Sequence, residues 1–368
     1  MIHFCLVSDQ PVPNFLPALV PEIKPTRVVL AVSEGMRNKA GFLIQAFEAH
    51  QIQTEIVPVL DPYDLGSLQD VFFDWLDKHA DEPVVLNVTG GTKPMAISAQ
   101  EAFRAAGKDV FYVSPEKDEL NWLNAKRPPH VFAKSLSLKN FLLLHGYSIL
   151  SNKPQTTAPE TWKALSAELI RQPEKWKRPL SRLNYYAMRA EQNNTLDAGR
   201  PDKEDANWDE LMEQLFYNDI IRDRVRLLFH SLTARAFANG GWLEHHIFDI
   251  VRSIEGVNSA EMNIQIADPL GNKNEFDVVF LHRNRLIIIE CKTKRFAEDK
   301  THVDSPAADA VYKLDALRKT GGLRTKGILI SYMPIDDRNK NRAQADGITV
   351  IDQGSLPRLK ECLQNALK

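Results

Sequence analysis

The first 150 residues alternate short β-branched runs with amphipathic stretches, and this alternation restricts the fold more than any other feature of the chain. Apolar runs at 4–7, 27–32, 52–60, 83–88 and 109–113 read as strands. Between them, 38–50, 68–79 and 95–106 carry helical spacing. Val71, Phe72, Trp75 and Leu76 recur at three- and four-residue steps, and Gly107 supplies a helix stop. Strands that are apolar on both faces and separated by helices predict a parallel sheet covered on both sides. In such sheets, ligands bind beyond the carboxyl ends of the strands.

Residues 151–225 break that rhythm. Pro154, Pro159, Pro173 and Pro179 punctuate helical stretches rich in Trp, Lys and Arg, which reads as a helical connector. Its segment Lys175-Trp176-Lys177-Arg178 is read first as a solvated helix face around one packed Trp, with phosphate contact as the alternative. Residues 226–368 form a third region. A helix is expected over 225–238 and another over 242–254, split by Asn239-Gly240-Gly241. Strands follow at 262–266, 276–281 and 286–291, then a helix at 308–317 ended by Gly321-Gly322, then strands at 327–331 and 348–351. The chain thus divides into 1–150, 151–225 and 226–368, with no internal repeat.

With 368 residues, 43% of them hydrophobic, the chain can bury at least two cores. Its formal net charge of −2 provides no global basic field, so any nucleic-acid binding needs a local patch or a metal. No apolar run approaches the ~20 residues that span a bilayer. The start, Met1 to Val7, lacks the charged segment of a signal peptide. Cys5, Cys291 and Cys362 are few and unpatterned, as in a reduced cytoplasmic protein.

The strongest chemical signal lies in the runs 276–281 and 286–291, a hairpin around His282-Arg283-Asn284-Arg285. A symmetric loop sets Leu281 against Leu286, Val279 against Ile288 and Asp277 against Glu290. Directly opposed residues hold their Cβ atoms about 4.5–5.5 Å apart. Two carboxylates that close repel unless a cation lies between them, and hard oxygen ligands suit Mg²⁺ or Mn²⁺. Lys292 shares the face of Glu290, where an ammonium orients a water or offsets charge on a phosphate. Cys291 is expected on the opposite face with Phe276, Val278 and Ile289. Glu244, near a helix start, is a third carboxylate, although acidic residues also favour that position for the helix dipole. A surface ion-pair network is the competing reading, but both strands are apolar on both faces and so belong in a core. His245 and His246 read as packing residues, and no HExxH spacing supports zinc.

The second signal is Asn87-Val88-Thr89-Gly90-Gly91-Thr92-Lys93-Pro94-Met95, which leaves a strand and opens a helix. Its glycines let the backbone approach a ligand, Thr92 can cap the helix, and Pro94 suits the first turn. A helix N-terminus beside Lys93 attracts phosphate. The string fits neither a Walker A loop nor GxGxxG.

Glu275-Phe276-Asp277, twelve intervening residues and Glu290-Cys291-Lys292 resemble the PD-(D/E)XK nuclease motif, with Phe276 where the motif's proline would stand. The resemblance implies that Glu244, Asp277, Glu290 and the backbone carbonyl of Cys291 bind the metal, and that Glu290 and Lys292 position the attacking water. It also directs Tyr312 and Lys313 toward the substrate backbone. The string Val88 to Met95 resembles the signature of CARF domains that carry a C-terminal nuclease, as do Ser8-Asp9-Gln10 and the stretch Ser135 to Phe141. The chain is therefore similar to cyclic-oligoadenylate-activated nucleases of type III CRISPR systems. That resemblance implies a Rossmann-like CARF domain followed by a restriction-endonuclease-like domain, and a homodimer binding cyclic tetra-adenylate through Ser8, Gln10, Ser33, Asp61, Thr89, Gly90, Gly91, Thr92, Lys93 and Met95. Single-stranded DNA and RNA are the expected substrates, with duplex nicking beside them. Two other readings are a CARF-controlled transcription regulator whose connector reads DNA, and a stand-alone restriction-type nuclease.

Overall fold

The computed structural model describes residues 1–124, 126–132, 135–150, 157–201, 205–294 and 306–368. Pro154 lies outside them. Two sheets organise these residues. The first has the order β3-β2-β1-β4-β5-β6-β7. Its strands are β1 (Ile2–Leu6), β2 (Arg27–Ser33), β3 (Gln53–Val59), β4 (Val84–Asn87), β5 (Asp109–Ser114), β6 (Glu119–Trp122) and β7 (His130–Val131). The five expected runs pair in parallel, while β6 and β7 add an antiparallel edge. Helices α1 (Val12–Phe15), α2 (Arg37–Ala49), α3 (Leu65–Lys78), α4 (Lys93–Ala105) and α5 (Leu138–Leu144) complete this region. One face packs Phe4, Phe72, Trp75 and Phe103, and the other packs Phe15, Leu43, Phe47 and Phe111. Each such burial is worth ~1.5–3 kcal/mol.

The second sheet has the order β13-β12-β11-β10-β9-β8. Strand β8 (Ser148–Ile149) falls inside the first expected region but pairs with β9 of the second sheet. Helices α6 (Glu160–Arg171), α7 (Pro173–Gln192) and α8 (Ala206–Tyr217) follow, then α9 (Leu232–Ala236) and α10 (Trp242–Arg252). The sheet continues with β9 (Val257–Ala267), β10 (Lys273–His282), β11 (Arg285–Lys292), β12 (Lys326–Ser331) and β13 (Ile348–Ile351). Interleaved with them are α11 (Pro306–Arg318), α12 (Asp337–Ala345) and α13 (Leu359–Leu367).

The connector is no spacer. Trp162, Leu165, Trp176, Leu180, Trp208 and Leu211 share one core with Trp242, Ile247, Val278 and Ile289. The helix expected over 225–238 starts only at Leu232, behind the cap Ser231. Before it, Asp223 Oδ1 accepts from Val225 N at 2.7 Å, and Ile221 bridges Phe229, so this stretch folds as a turn.

The two halves are joined firmly. The hairpin closes through Arg283 and Asn284, with φ of 51° and 53°, the signature of a type I′ turn. Buried Asn284 docks on the first half: its Oδ1 accepts from Leu136 N (2.8 Å) and its Nδ2 donates to Asp118 Oδ1 (3.3 Å). Ser259 Oγ accepts from Leu138 N at 3.1 Å. Phe141, Leu142 and Leu144 belong to the same core as Ile264, Phe276, Leu286 and Val311. Among the described residues, no helix is long and apolar enough to cross a membrane.

Candidate active site and ligand loops

Strand β11 brings Glu290 into the interior, where it is fully buried. Two ammonium groups hold it. Lys292 Nζ lies 2.5 Å from Oε1, and Lys313 Nζ, from α11, lies 2.9 Å from both oxygens. Burial alone would lower Lys292, but the charge and hydrogen bond of Glu290 outweigh it and hold the ammonium above its ordinary value. Lys313, expected at the substrate backbone, instead grips the carboxylate. Exposed Tyr312 lies under Arg342, 4.9 Å from its ring centroid.

The hairpin follows the expected register through Val278 opposite Ile289, and the ladder ends there. Asp277 does not sit in a simple cross-strand pair with Glu290: its Oδ2 accepts from Cys291 N at 2.7 Å. The cause lies on β9. Asn263 has φ of 52°, and β9 and β10 pair on either side of it, Phe276 with Ile264 and Val278 with Met262, with no pair at Asp277. The alternation of faces breaks at this point. Phe276 therefore packs in the core of Ile264 and Val279, not with Cys291, Val278 and Ile289 as the sequence predicts.

At this kink the Asn263 side chain hydrogen-bonds Glu244. Helix α10 packs through Leu243, Ile247 and Val251 on one face of the sheet, while α11 packs through Val311 and Leu314 on the other. Burial and the nearby charge of Asp277 push Glu244 up to about 7. Burial and then the charge of Glu290 raise Asp277 well above the usual carboxylate range. The negative charge of Glu290 thus acts on Asp277, and that of Asp277 on Glu244. Among the described residues, no three acidic, histidine or cysteine side chains converge into a ready-made ion cage. The donor set still fits a divalent cation: hard oxygens, with a surplus of negative charge that a cation would relieve. The Cys291 thiol is buried, and burial pushes it well above its ordinary value; hard cations such as Mg²⁺ take oxygen, which its backbone carbonyl offers. His245 and His246 are lowered by burial, and His245 packs near Phe237, 6.4 Å between ring centroids.

The loops of the first sheet differ in kind. The strand order reverses between β1 and β4, the position at which open α/β sheets bind ligands. Gly90 crosses the end of β1 so closely that a Cβ there would lie 2.0 Å from the Leu6 carbonyl oxygen and 3.3 Å from Ser8 Oγ. Gly91 has φ of 72°. Ser8 and the two glycines therefore meet at the reversal point, with Ser33 at the end of neighbouring β2 and exposed Lys93 opening α4. Other residues expected at the ligand make hydrogen bonds or packing contacts within the protein. Thr89 donates to Asn87 Oδ1 (2.7 Å), and its Oγ1 accepts from Val113 N (2.8 Å). Thr92 donates to the Pro62 carbonyl (2.5 Å) and caps α4 by accepting from Met95 N (3.3 Å). Asp61 accepts from Tyr63 N (2.8 Å), and the Met95 side chain is buried. Gln10 turns toward the other half: a Cβ on Gly322, just past α11, would lie 3.0 Å from its Nε2.

Sequence reasoning missed the groups that set these loops. Asn87 Nδ2 donates to the Pro13 carbonyl (2.8 Å) and to Asn14 Oδ1 (3.2 Å), and Asn14 Nδ2 donates to the Leu6 carbonyl (2.9 Å). Both asparagines are buried, and a polar residue in the otherwise apolar run of β4 was the available signal.

Residues 2–141 match the Card1 CARF domain, and residues 231–368 match the Card1-like endonuclease domain. This chain is a CARF-domain nuclease. A divalent metal is general to such endonuclease domains. The CARF-domain nuclease is similar along its whole length to protein VC1899 from Vibrio cholerae, with 25% identity, 100% of this chain and 98% of that one covered, and a TM-score of 0.91. Can2 from Sulfobacillus thermosulfidooxidans, solved in complex with cyclic tetra-adenylate, is 27% identical over 100% of this chain and 97% of its own, with a TM-score of 0.80. A type III CRISPR defence DNA nuclease activated by cyclic oligoadenylate shares the fold at 18% identity and a TM-score of 0.60, and this chain spans 51% of it. No curated protein matches.

Proposed function

We propose that this CARF-domain nuclease is an ancillary effector of type III CRISPR defence, switched on by cyclic tetra-adenylate and cutting single-stranded DNA and RNA, with nicking of duplex DNA as a side activity. The observation that carries the reading is the end-to-end likeness to Can2, solved with that ligand. Gly90, Gly91 and Ser8 at the strand reversal offer a close backbone cradle, and Lys93 at the start of α4 offers a cation for a ring of phosphodiesters. A ring with repeated phosphates matches a two-fold site, so two copies would pair their strand ends. Exposed Leu60, Tyr63 and Ile97 near those ends supply apolar surface for that pairing.

In the nuclease half, Mg²⁺ or Mn²⁺ would be held by Glu244, Asp277, Glu290 and the Cys291 carbonyl. Bound there, the metal supplies a Lewis acid and a water of lowered pKa. Glu290 would position the attacking water at the scissile phosphate and take up its proton. Lys292 keeps the carboxylate oriented and offsets charge on the phosphate oxygens. Lys313 must release at least one oxygen of Glu290 for this to occur, and Gln10 against Gly322 places the ligand loop beside the end of α11, the helix that carries Lys313. The ligand acts only through its differential affinity for the released state.

The test is cleavage of a fluorophore–quencher oligonucleotide in Mn²⁺, with and without cyclic tetra-adenylate. Cleavage that needs both supports the reading. Cleavage indifferent to every cyclic oligoadenylate points to a stand-alone nuclease, and ligand binding with no cleavage of DNA or RNA points to a regulator.

A further inference from the structure

Helix α7 carries a surface that the ligand loops and the acidic site leave unexplained. Its buried face consists of Trp176, Leu180, Leu183, Asn184, Ala187 and Ala190. On the opposite side, Arg178, Tyr185 and Arg189 are exposed at seven- and four-residue spacing, which aligns them in one row. Tyr185 is 50% exposed, which is unusual for an aromatic on a packed helix. Arg189 stands over its ring at 5.7 Å and reaches its hydroxyl at 3.5 Å. Lys177 lies beside this row and pairs with Glu174 on the same helix. The helix bears five basic side chains against two acidic ones, in a chain whose formal net charge is −2.

Its position ties this row to the catalytic strand. Asn184 Nδ2 donates to the Thr293 carbonyl at 3.4 Å, and Thr293 directly follows Lys292. Gly240 closes on the same residue, since a Cβ there would lie 2.5 Å from Thr293 Oγ1. The helix therefore forms one wall at the exit of β11. Successive residues turn by about 100° around a helix, so Tyr185 emerges one step outward from Asn184.

We propose that the outer row of α7 is the track for the substrate strand, on which unpaired bases stack on Tyr185 and phosphates pass between Arg178, Lys177 and Arg189. Stacking on an aromatic platform flanked by cations is the chemistry that holds single strands without reading sequence. A duplex hides its base faces and cannot use Tyr185 in this way. The track rests on the nuclease reading above and deepens it by assigning the surface that holds the unpaired strand.

The experiment uses the full-length protein carrying Lys292→Ala to prevent turnover. Fluorescence anisotropy with a labelled 20-nucleotide DNA strand, its RNA equivalent and a hairpin duplex compares that parent with added Tyr185→Ala and with added Arg178→Glu/Arg189→Glu. We expect Tyr185→Ala to weaken single-strand binding about tenfold and duplex binding little. The charge reversal should weaken both and flatten the salt dependence. In the active protein, Tyr185→Ala should raise KM for the 20-mer while leaving kcat and the cleavage of a tetranucleotide unchanged. Equal affinities across the variants would overturn the track. So would equal losses for single strand and duplex on Tyr185→Ala, or a change in oligomeric state alone, which would make the row a contact between copies. If the active protein cuts nothing while the anisotropy pattern holds, the nuclease reading fails and the track stands.

Discussion

The two sheet ends solve opposite problems. At the end of the first sheet, polar groups satisfy one another: Asn87, Asn14, Thr89 and Thr92 are bound into a lattice of hydrogen bonds. Beside that lattice stand the Gly90 and Gly91 backbone, the Ser8 and Ser33 hydroxyls and exposed Lys93. At the end of the second sheet, burial and neighbouring negative charge raise Glu244 and Asp277, and two lysines restrain the fully buried Glu290. The difference shows where conformational freedom can lie. A lattice that is fully satisfied transmits position, whereas a site under electrostatic tension responds to it.

Glu290→Ala tests the tense end most severely. It should cost about 10³-fold in kcat/KM, the scale for losing a group that acts in the transition state, and leave calorimetric binding of cyclic tetra-adenylate intact. Loss of that binding as well would mean that the ends are one cooperative unit. Acid tests the satisfied half. Burial pushes His3 and His145 down to about 4 from an ordinary 6.5. The unfolded chain then binds the extra protons between those values, so stability is intact above pH 6.5 and falls as pH drops toward 4. Each histidine contributes up to about 3 kcal/mol. Hydrogen exchange at pH 7 and pH 5 should show protection lost first in β1 and α5, and uniform loss across both sheets would break the contrast.

Gly90→Ala attacks the frame itself. A Cβ 2.0 Å from the Leu6 carbonyl forces the loop outward, at a cost of about 3 kcal/mol. Calorimetry should read this as ~100-fold weaker ligand binding, with basal cleavage in Mn²⁺ unaltered. The smallest effect belongs to the joint between the ends. Gln10→Ala should reduce the activation ratio by about fivefold, corresponding to a coupling near 1 kcal/mol. A change in ligand affinity with no change in that ratio would make Gln10 a ligand contact and nothing more.

The parts legible in the sequence are those with a period. Alternating strands and helices gave the first sheet, and the symmetric loop gave the hairpin register through Val278 and Ile289. What escaped depends on single residues acting across the fold. Asn263 adopts a left-handed backbone within a run that reads as ordinary strand, and opposite it the faces switch, with Phe276 in the other core. The hydroxyls of Thr89 and Thr92 looked available for a ligand because their partners, Val113 and Pro62, lie far away in the chain. The connector's helices were legible, but apolar spacing says that a helix is buried and not against what, so its shared core with the second sheet was not. Lys313 gave no local signal for a grip on Glu290, 23 residues before it.

The core that Phe141, Leu142 and Leu144 share with Phe276, Leu286 and Val311 has a practical corollary. Sensor and cutter are not separable modules. A truncation near residue 150 would leave a greasy scar on each fragment, and transplanting the sensor onto another enzyme would require carrying over the hairpin tip at Asn284 as its socket.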